Sequence, residues 1–284
     1  MPGAQYAGIR LFSGGINQLV KEIRSNNHII MQNDQNYAYT KVNNTASRYA
    51  FKVLGSDYVL IMHNDMVVAP DFLDELINAT TKEPDAGILG PKIYFYDNPD
   101  ELWSEGGLIN YWTGTFTQGC PKLTALAKGK DIVTVDWVPM ACALISRKVY
   151  KAIGLLDEAF IFGIEEVDIC IRAAKQGFKV LFVSRSNIWH DGGRPSVYNE
   201  RTKRLMEYYT PRNRLILLQK HWHGLQLVSA TSFFILAHVK SLFLFLLRSR
   251  NRNHLKLYLR GFMDAIRWRK SYRQEKVLMD IDSE

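Results

Sequence analysis

Short apolar runs alternate with segments of helical periodicity in the first third of the chain, and this alternation limits the possible folds more than any other feature. Apolar runs at 28–32, 58–62 and 86–96 predict strands, and residues 15–25, 42–54 and 71–80 predict helices. Strands separated by helices favour a sheet with parallel strands, because parallel neighbours need a long crossover connection. Ligands of such sheets lie beyond the carboxyl ends of the strands.

The middle of the chain has a different pattern. Residues 100–145 form short segments interrupted by glycines, which predicts antiparallel strands and loops. Residues 165–177 predict a helix that stops at Gly177, and residues 178–184 predict a strand. Thr210 is a plausible helix N-cap with Pro211 at the first helical position, which predicts a further helix beginning there.

Composition limits the class of protein. With 284 residues, 47% of them hydrophobic, the chain can bury a large core. Its cysteines are odd in number and lack CxxC spacing, which predicts free thiols in a reducing compartment (Cys120, Cys142 and Cys170). The first 25 residues show no pattern of a secretory signal.

The C-terminal part is apolar and basic. Residues 227–247 are long enough to span a bilayer but contain His238 and Lys240, so a transmembrane helix, an interfacial helix and a helix packed in the protein or an oligomer interface all stay open. Residues 239–280 hold eleven Lys and Arg, and the net charge of the whole chain is +8. The basic residues flank an apolar helix, which favours an anionic membrane surface over nucleic acid.

A buried strand ends in polar residues. The apolar run at 58–62 leads directly into His63, Asn64 and Asp65. Such a group is often an ordinary turn, but a carboxylate with neighbouring nitrogen and oxygen donors can also help to hold a divalent cation.

Two further clusters have both structural and chemical interpretations. Glu165, Glu166 and Asp168 occupy a first helical turn, where acidic residues are favoured, and Asp168 is spaced for a salt bridge with Arg172. Alternatively, one carboxylate among like charges has a raised pKa and acts as a general base. His190 follows a strand and is either a structural residue or a ligand.

The order of these motifs resembles the family 2 glycosyltransferases with the GT-A fold, in particular the rhamnosyltransferase-like group. The motifs are the strand ending in Asn64-Asp65, WVPMACALISR, FGIEEVDICIR, WHDGG and YYTPRNR, within residues 15–220. The resemblance implies a GT-A-type (Rossmann-like) mixed sheet with flanking helices over residues 1–222, lacking the first strand. Residues 223–284 would follow as amphipathic, basic, membrane-associating helices.

The resemblance also implies the chemistry of the site. Asp65 would hold Mg²⁺ or Mn²⁺ on the donor diphosphate, with His190 and His63 as further metal ligands. Glu166 takes the place of the catalytic base, and Glu165 is the other member of the acidic pair.

The donor side is implied in the same way. Asn64 and Asp65 would face the nucleotide diphosphate sugar, together with Asn36 and Asn44 from a segment that approaches the donor in the family. Arg212 matches a motif that follows the catalytic domain and would contact the diphosphate or a loop, with helix capping and packing as the alternative.

The implied reaction is transfer of a hexose, with rhamnose as a candidate, to a glycan or lipid-linked glycan acceptor, with inversion at the anomeric carbon. We expect an enzyme of cell-surface polysaccharide synthesis on the inner, cytoplasmic face of the cell membrane, with peripheral membrane contact and a homo-oligomer as a further partner. The alternative is a catalytically degenerate relative that binds a glycan or another protein.

Overall fold

The computed structural model describes residues 29, 31, 38–119, 121–191, 200–248 and 252–271. Its strands are β1 (Tyr58–Met62), β2 (Met66–Val68), β3 (Ala86–Phe95), β4 (Leu102–Ser104), β5 (Gly107–Asn110), β6 (Thr115–Gln118), β7 (Ile132–Thr134), β8 (Cys142–Ser146) and β9 (Lys179–His190). Its helices are α1 (Ala38–Lys52), α2 (Phe72–Lys82), α3 (Pro121–Ala127), α4 (Arg147–Ile153), α5 (Glu165–Lys175), α6 (Glu200–His221), α7 (Gly224–Arg248) and α8 (Arg252–Ser271).

The main sheet is mixed, with the order β1-β8-β3-β9-β2, and β4 and β7 attached at β3 and β9. Strands β3 and β9 are parallel, whereas β8 is antiparallel to both β1 and β3. Strands β1, β3 and β9 therefore run in one direction, and their carboxyl ends lie at the same edge of the sheet. The expected mixed sheet with flanking helices is confirmed.

The central strand β3 separates two apolar layers. Ile88 packs in the layer that contains helices α4 and α5, and its neighbour Leu89 packs in the layer of helix α2 with Leu76 and Leu181. Successive side chains of a strand point to opposite faces, and here both faces are covered. This explains why residues 86–90 form a continuous apolar run rather than an alternating one.

Three details differ from the sequence predictions. Helix α6 begins at Glu200 rather than at 210, and Pro211 lies buried inside it. Proline in a helix interior loses one backbone hydrogen bond, and here the surrounding turn packs against the core through Leu215 and Leu218. Strand β9 continues to His190 instead of ending at 184, and helix α3 was not predicted.

Some predictions concern residues outside the description. The helix at 15–25, most of the strand at 28–32, Asn36 and the expected lack of a first strand all fall there. Cys142 and Cys170 are buried free thiols, and Cys120 also lies outside the described residues.

The two C-terminal helices pack on α6. Ala230 and Phe234 of α7 and Ala265 of α8 belong to the same core cluster as the sheet. Gly261 lies so close to α6 that a Cβ atom there would be 2.2 Å from the carbonyl oxygen of Tyr208. None of the described helices combines the length and apolar character that crossing a membrane requires. The division of the chain at residue 222 stays a prediction.

Candidate active site

Three potential metal ligands meet at the edge where β1 and β9 end. His63 and Asp65 follow β1, and His190 is the last residue of β9. The backbone NH of Asp191 donates to the carbonyl of Asp65 at 2.8 Å, which ties the two strand ends together. Strand β2, which follows Asp65, pairs antiparallel with β9 and places Met66 opposite His190, and this pairing makes residues so distant in the sequence neighbours.

The three side chains offer atoms that all lie within 4.8 Å of one another. His190 Nε2 is 3.4 Å from Asp65 Oδ2, and His63 Nδ1 is 3.9 Å from Asp65 Oδ1. Burial lowers the pKa of the His63 imidazole, and the charge of Asp65 offsets this only partly. His63 therefore favours its neutral form, which is the form that binds metals.

This donor set fits a divalent cation. A carboxylate and two imidazoles converge without a lysine or arginine among the three, and Nδ1 of the buried His190 has no hydrogen-bond partner within the described part of the chain. Imidazole and carboxylate are both ligands of divalent transition ions. Asn64 lies in the turn between the two ligands with its side chain exposed, so its role toward the donor stays a prediction.

Aromatic rings enclose two of these ligands. Trp103 stands edge-on to His190 with ring centroids 4.8 Å apart, and Tyr39 stands edge-on to His63 at 5.3 Å. The Tyr39 hydroxyl donates to the carbonyl of Met140 at 2.6 Å, which fixes the ring. The sequence did not identify Tyr39 as a site residue.

Glu165 and Glu166 begin helix α5. Burial raises the pKa of Glu165 well above its ordinary value, and the negative charge of Glu166 raises it further. Burial also raises the pKa of Glu166. The side chain of Glu166 is partly exposed, whereas that of Glu165 is buried. Two neighbouring carboxyls cannot easily both ionise, and the stronger rise of the pKa at the more buried Glu165 favours a proton on that residue when the pair shares one.

Tyr39 connects the acidic pair with the three ligands. Its pKa is raised well above the ordinary value by burial and then by the charges of Glu165 and Glu166. The same ring contacts His63. Tyr39 therefore contacts the potential ligand His63 and lies within electrostatic reach of the acidic pair.

The loop before the acidic pair is held from two sides. Helix α1 contributes Asn44, whose amide donates to the Leu156 carbonyl at 2.9 Å and accepts from the Leu156 NH at 3.0 Å. Helix α6 contributes Asn213, which donates to the carbonyls of Phe162 and Gly163. Ile164, the residue before the pair, has a left-handed φ of 78°, a strained conformation that such contacts maintain.

Asn44 and Arg212, which were predicted to contact the sugar donor, both bind the loop before the acidic pair. Asn44 is 2% exposed and its amide is bonded within the protein, so the structure gives it a role in positioning the loop. Arg212 donates to the Ala159 carbonyl at 2.8 Å and to the Asn213 side chain at 2.7 Å. Direct contact of Asn44 and Arg212 with a donor stays a prediction.

Asp168 anchors α5 to α6. Its fully buried carboxylate contacts Arg172 Nε and His221 Nε2 at 2.7 and 2.8 Å, and also the Lys220 ammonium. Burial alone raises the pKa of this carboxyl, but Arg172, His221 and Lys220 together hold it well below its usual range. The predicted Asp168–Arg172 salt bridge is confirmed, and Asp168 is a structural residue.

Asp168→Asn is expected to lower the free energy of unfolding by about 3 kcal/mol, because it leaves buried cations without their counter-charge. The folded-state pKa lies below the unfolded one, so this stabilisation is present above the ordinary pKa of Asp and is lost as the pH falls through the folded-state pKa. Urea denaturation at neutral pH measures the loss. Glu200→Gln, which breaks an exposed pair with Lys203, is the control, and an equal effect of both variants would contradict this account.

Comparisons with known proteins point to one family. Residues 18–214 match the family described as "Glycosyltransferase like family 2". The O-antigen biosynthesis protein RfbC of Myxococcus xanthus is 27% identical over 164 residues, 55% of this chain and 12% of its own length. The low-salt glycan biosynthesis hexosyltransferase Agl10 of Haloferax volcanii is 28% identical over 149 residues, 51% of this chain and 46% of its own.

A third relative has a more specific name. The N-acetylglucosaminyl-diphospho-decaprenol L-rhamnosyltransferase of Mycobacterium tuberculosis is 27% identical over 144 residues, 47% of each chain. The matches therefore span less than half the length of these three relatives.

Two solved structures were also found. GalNAc-T7 with UDP, GalNAc and Mn²⁺ has a TM-score of 0.47 at 18% identity, covering 66% of this chain and 38% of the other. The mannosyltransferase PcManGT of Pyrobaculum calidifontis with GDP-Man and Mn²⁺ has a TM-score of 0.43 at 11% identity, covering 87% and 70%. The family match extends over more than half of the sequence, and this chain belongs to the glycosyltransferase-like family 2.

Proposed function

We propose that this protein is an inverting, metal-dependent glycosyltransferase. It moves a sugar, with rhamnose the first to be tested, from a nucleotide diphosphate sugar to a glycan or lipid-linked glycan acceptor. The observation that carries the proposal is that Tyr39 contacts His63, one of the three potential metal ligands, and lies within electrostatic reach of the acidic pair. The curated relatives named as a hexosyltransferase and an L-rhamnosyltransferase support the choice of donor.

Glu166 is the proposed general base. It removes the proton from the acceptor hydroxyl as that oxygen attacks the anomeric carbon and the nucleoside diphosphate departs from the opposite face. A raised pKa suits this role, because a base works best when its pKa is near the working pH. Glu165, protonated beside it, keeps a second negative charge away from the attacking oxygen.

His63, Asp65 and His190 are the residues that would hold the cation. When bound, a divalent ion offsets the negative charge that develops on the departing diphosphate. Two imidazoles in the set favour Mn²⁺ over Mg²⁺, because Mg²⁺ prefers oxygen ligands. Tyr39 and Trp103 hold the two imidazole rings in place.

The proposal is tested by incubating the protein with Mn²⁺, a panel of nucleotide diphosphate sugars that includes dTDP-rhamnose, and a lipid-linked N-acetylglucosaminyl diphosphate acceptor. We expect nucleoside diphosphate release that EDTA abolishes and Mn²⁺ restores, and a product of inverted anomeric configuration by NMR. A retained configuration would contradict the mechanism. Glycan binding without release for any donor would favour the catalytically degenerate alternative.

We further propose that the protein works at the inner, cytoplasmic face of the cell membrane as a peripheral protein. Helix α7 exposes Leu225, Val228, Leu236 and Val239, with 57–78% of each side chain accessible. Contiguous apolar surface of this kind usually marks an interaction site. The basic character of the chain, with a net charge of +8, favours an anionic lipid surface as the partner.

Replacing Leu225 and Leu236 together by serine is expected to weaken binding to phosphatidylglycerol vesicles at least about 10-fold, because each buried leucine contributes about 1.5–3 kcal/mol. Vesicle co-sedimentation measures the change. Leu54→Ser, a comparably exposed residue of another region, is the control. If the double variant instead changes only the oligomeric state in solution, this face is a homo-oligomer contact and the membrane proposal is wrong.

A further inference from the structure

A groove lies away from the acidic pair, between the β5–β6 hairpin and the start of α7. It has a volume of about 580 Å³ and is lined by Asn110, Tyr111, Trp112, Thr115, Thr117 and Gln226, among others. Trp112 is 56% exposed and Tyr111 is 37% exposed. The mechanism proposed above uses none of these residues.

The lining has one chemical character. Among the described residues no charged side chain lines the groove, which does not suit a phosphate or a nucleic acid. It combines an accessible indole with amide and hydroxyl groups. A neutral sugar ring has the complementary surface, since its C–H face packs on an aromatic ring and its hydroxyls form hydrogen bonds with amides and hydroxyls.

The hairpin that carries Trp112 is held rigidly on α6 and the chain that follows it. Trp222 Nε1 donates to the Tyr111 carbonyl at 2.7 Å, and Arg214 Nη2 donates to the Gly114 carbonyl at 2.5 Å. The Asn110 side chain accepts from the backbone NH of Trp112 at 3.0 Å, which shapes the turn. An aromatic ring held in place before a ligand arrives avoids part of the ordering cost of binding.

The groove is connected to the candidate active site through the hairpin itself. Trp103 contacts the His190 ring, and Gln118 at the end of β6 donates to the Trp103 carbonyl at 2.6 Å. From there the four-residue strands β5 and β6 extend outward, which places the tip with Trp112 about 14 Å away at about 3.4 Å per residue. The tip therefore lies about one hairpin length from Trp103, the residue that contacts the His190 ring.

The other wall of the groove adjoins the apolar surface of α7. Gln226 lines the groove and lies between Leu225 and Val228, two of the exposed apolar residues. A glycan joined to a lipid carries sugars and, beyond its linking group, an apolar part. The groove and the neighbouring apolar surface offer a place for each of these two parts.

We infer that this groove binds a neutral sugar unit of the acceptor glycan, stacked on Trp112, at a distance from the reacting hydroxyl. The inference rests on the proposed function and adds a substrate-specificity residue to it. It predicts that the acceptor is an oligosaccharide or a glycan on a lipid rather than a single sugar.

The test is direct binding, without donor or metal, of four neutral tetrasaccharides built from glucose, mannose, galactose and rhamnose. Saturation-transfer NMR detects binding and calorimetry measures it. We expect Trp112→Ala to weaken at least one of them about 10-fold or more, because the variant loses the ring face on which the sugar packs, and Trp112→Phe to restore most of the affinity. Leu126→Ala, an exposed apolar residue elsewhere, is the matched control.

The outcomes separate this inference from the proposed function. Equal affinities of wild type and Trp112→Ala would contradict the inference that the groove binds a sugar on Trp112. The absence of binding of any of the four tetrasaccharides by the wild type would contradict it as well. If the protein binds a tetrasaccharide through Trp112 but transfers no sugar, the binding role of the groove is supported and the proposed glycosyltransferase activity is contradicted. Unchanged thermal melting of Trp112→Ala shows that the variant is folded, as expected for a side chain that is mostly exposed.

Discussion

Glu166→Gln is expected to lower kcat about 1,000-fold, because general base catalysis contributes about 10²–10⁴-fold and the amide cannot accept the proton. Glutamine keeps the size of the side chain, so KM for the donor is expected to stay close to the wild-type value. Initial rates of nucleoside diphosphate release, measured at saturating donor and acceptor, give the comparison. A variant that keeps more than a tenth of the wild-type kcat would show that Glu166 is not the base.

Glu165→Gln is the matched control for that variant. Glu165 is buried and its pKa is raised well above the ordinary value, which favours the protonated form that glutamine resembles in shape and charge. We therefore expect a much smaller loss than for Glu166→Gln. The opposite order of effects would exchange the roles of the two residues.

The pH dependence follows from the same assignment. Glu166 must be ionised to accept a proton, and burial raises its pKa. Activity should therefore rise with pH through a pKa above the ordinary value for Glu, and the acid limb of the kcat profile should be absent from the residual activity of Glu166→Gln.

Asp65→Asn is expected to weaken Mn²⁺ binding at least about 100-fold, since loss even of an outer-shell partner of a metal ligand costs about 10–100-fold in affinity and Asp65 is the only carboxylate of the three ligand residues. Calorimetric titration of Mn²⁺ into the protein measures this independently of activity. Asp71→Asn, an exposed aspartate just before α2, is the control. Equal Mn²⁺ affinities for both variants would place the metal elsewhere.

The contribution of His63 to Mn²⁺ binding should persist at moderately acidic pH. Burial lowers the pKa of His63, so its neutral form persists to a lower pH than that of an exposed histidine. Protonation of His63 is therefore expected to contribute little to any loss of Mn²⁺ affinity as the pH falls toward the ordinary histidine pKa. A His63→Gln variant lacks the buried imidazole and therefore its contribution to the Mn²⁺ affinity.

The local elements could be read from the chain. Strand β1 begins and ends where the apolar run at 58–62 does, and the helix predicted from residue 165 is α5. These signals are local, because an apolar run and a 3.6-residue period are properties of neighbouring residues. The order of motifs also identified the family, because five of them occur in one sequence in a fixed order.

The start of α6 could not be read in the same way. Pro211 after Thr210 is a typical helix beginning, yet the helix starts at Glu200. Contacts with α8, including the close approach of Gly261 to Tyr208, cover this part of α6. Tertiary packing therefore outweighed a local preference, as it often does for helix boundaries.

The sequence by itself determined the family, the strand that ends in Asp65, the acidic pair and the helix that carries it. Only the tertiary structure decided which of these residues meet. The antiparallel pairing of β2 with β9, which sets Met66 opposite His190, brings His190 to Asp65. The tertiary structure also showed that Asn44 positions the loop before the acidic pair and that Asp168 connects α5 with α6. A buried polar side chain takes its role from the hydrogen-bond partners that the fold brings to it.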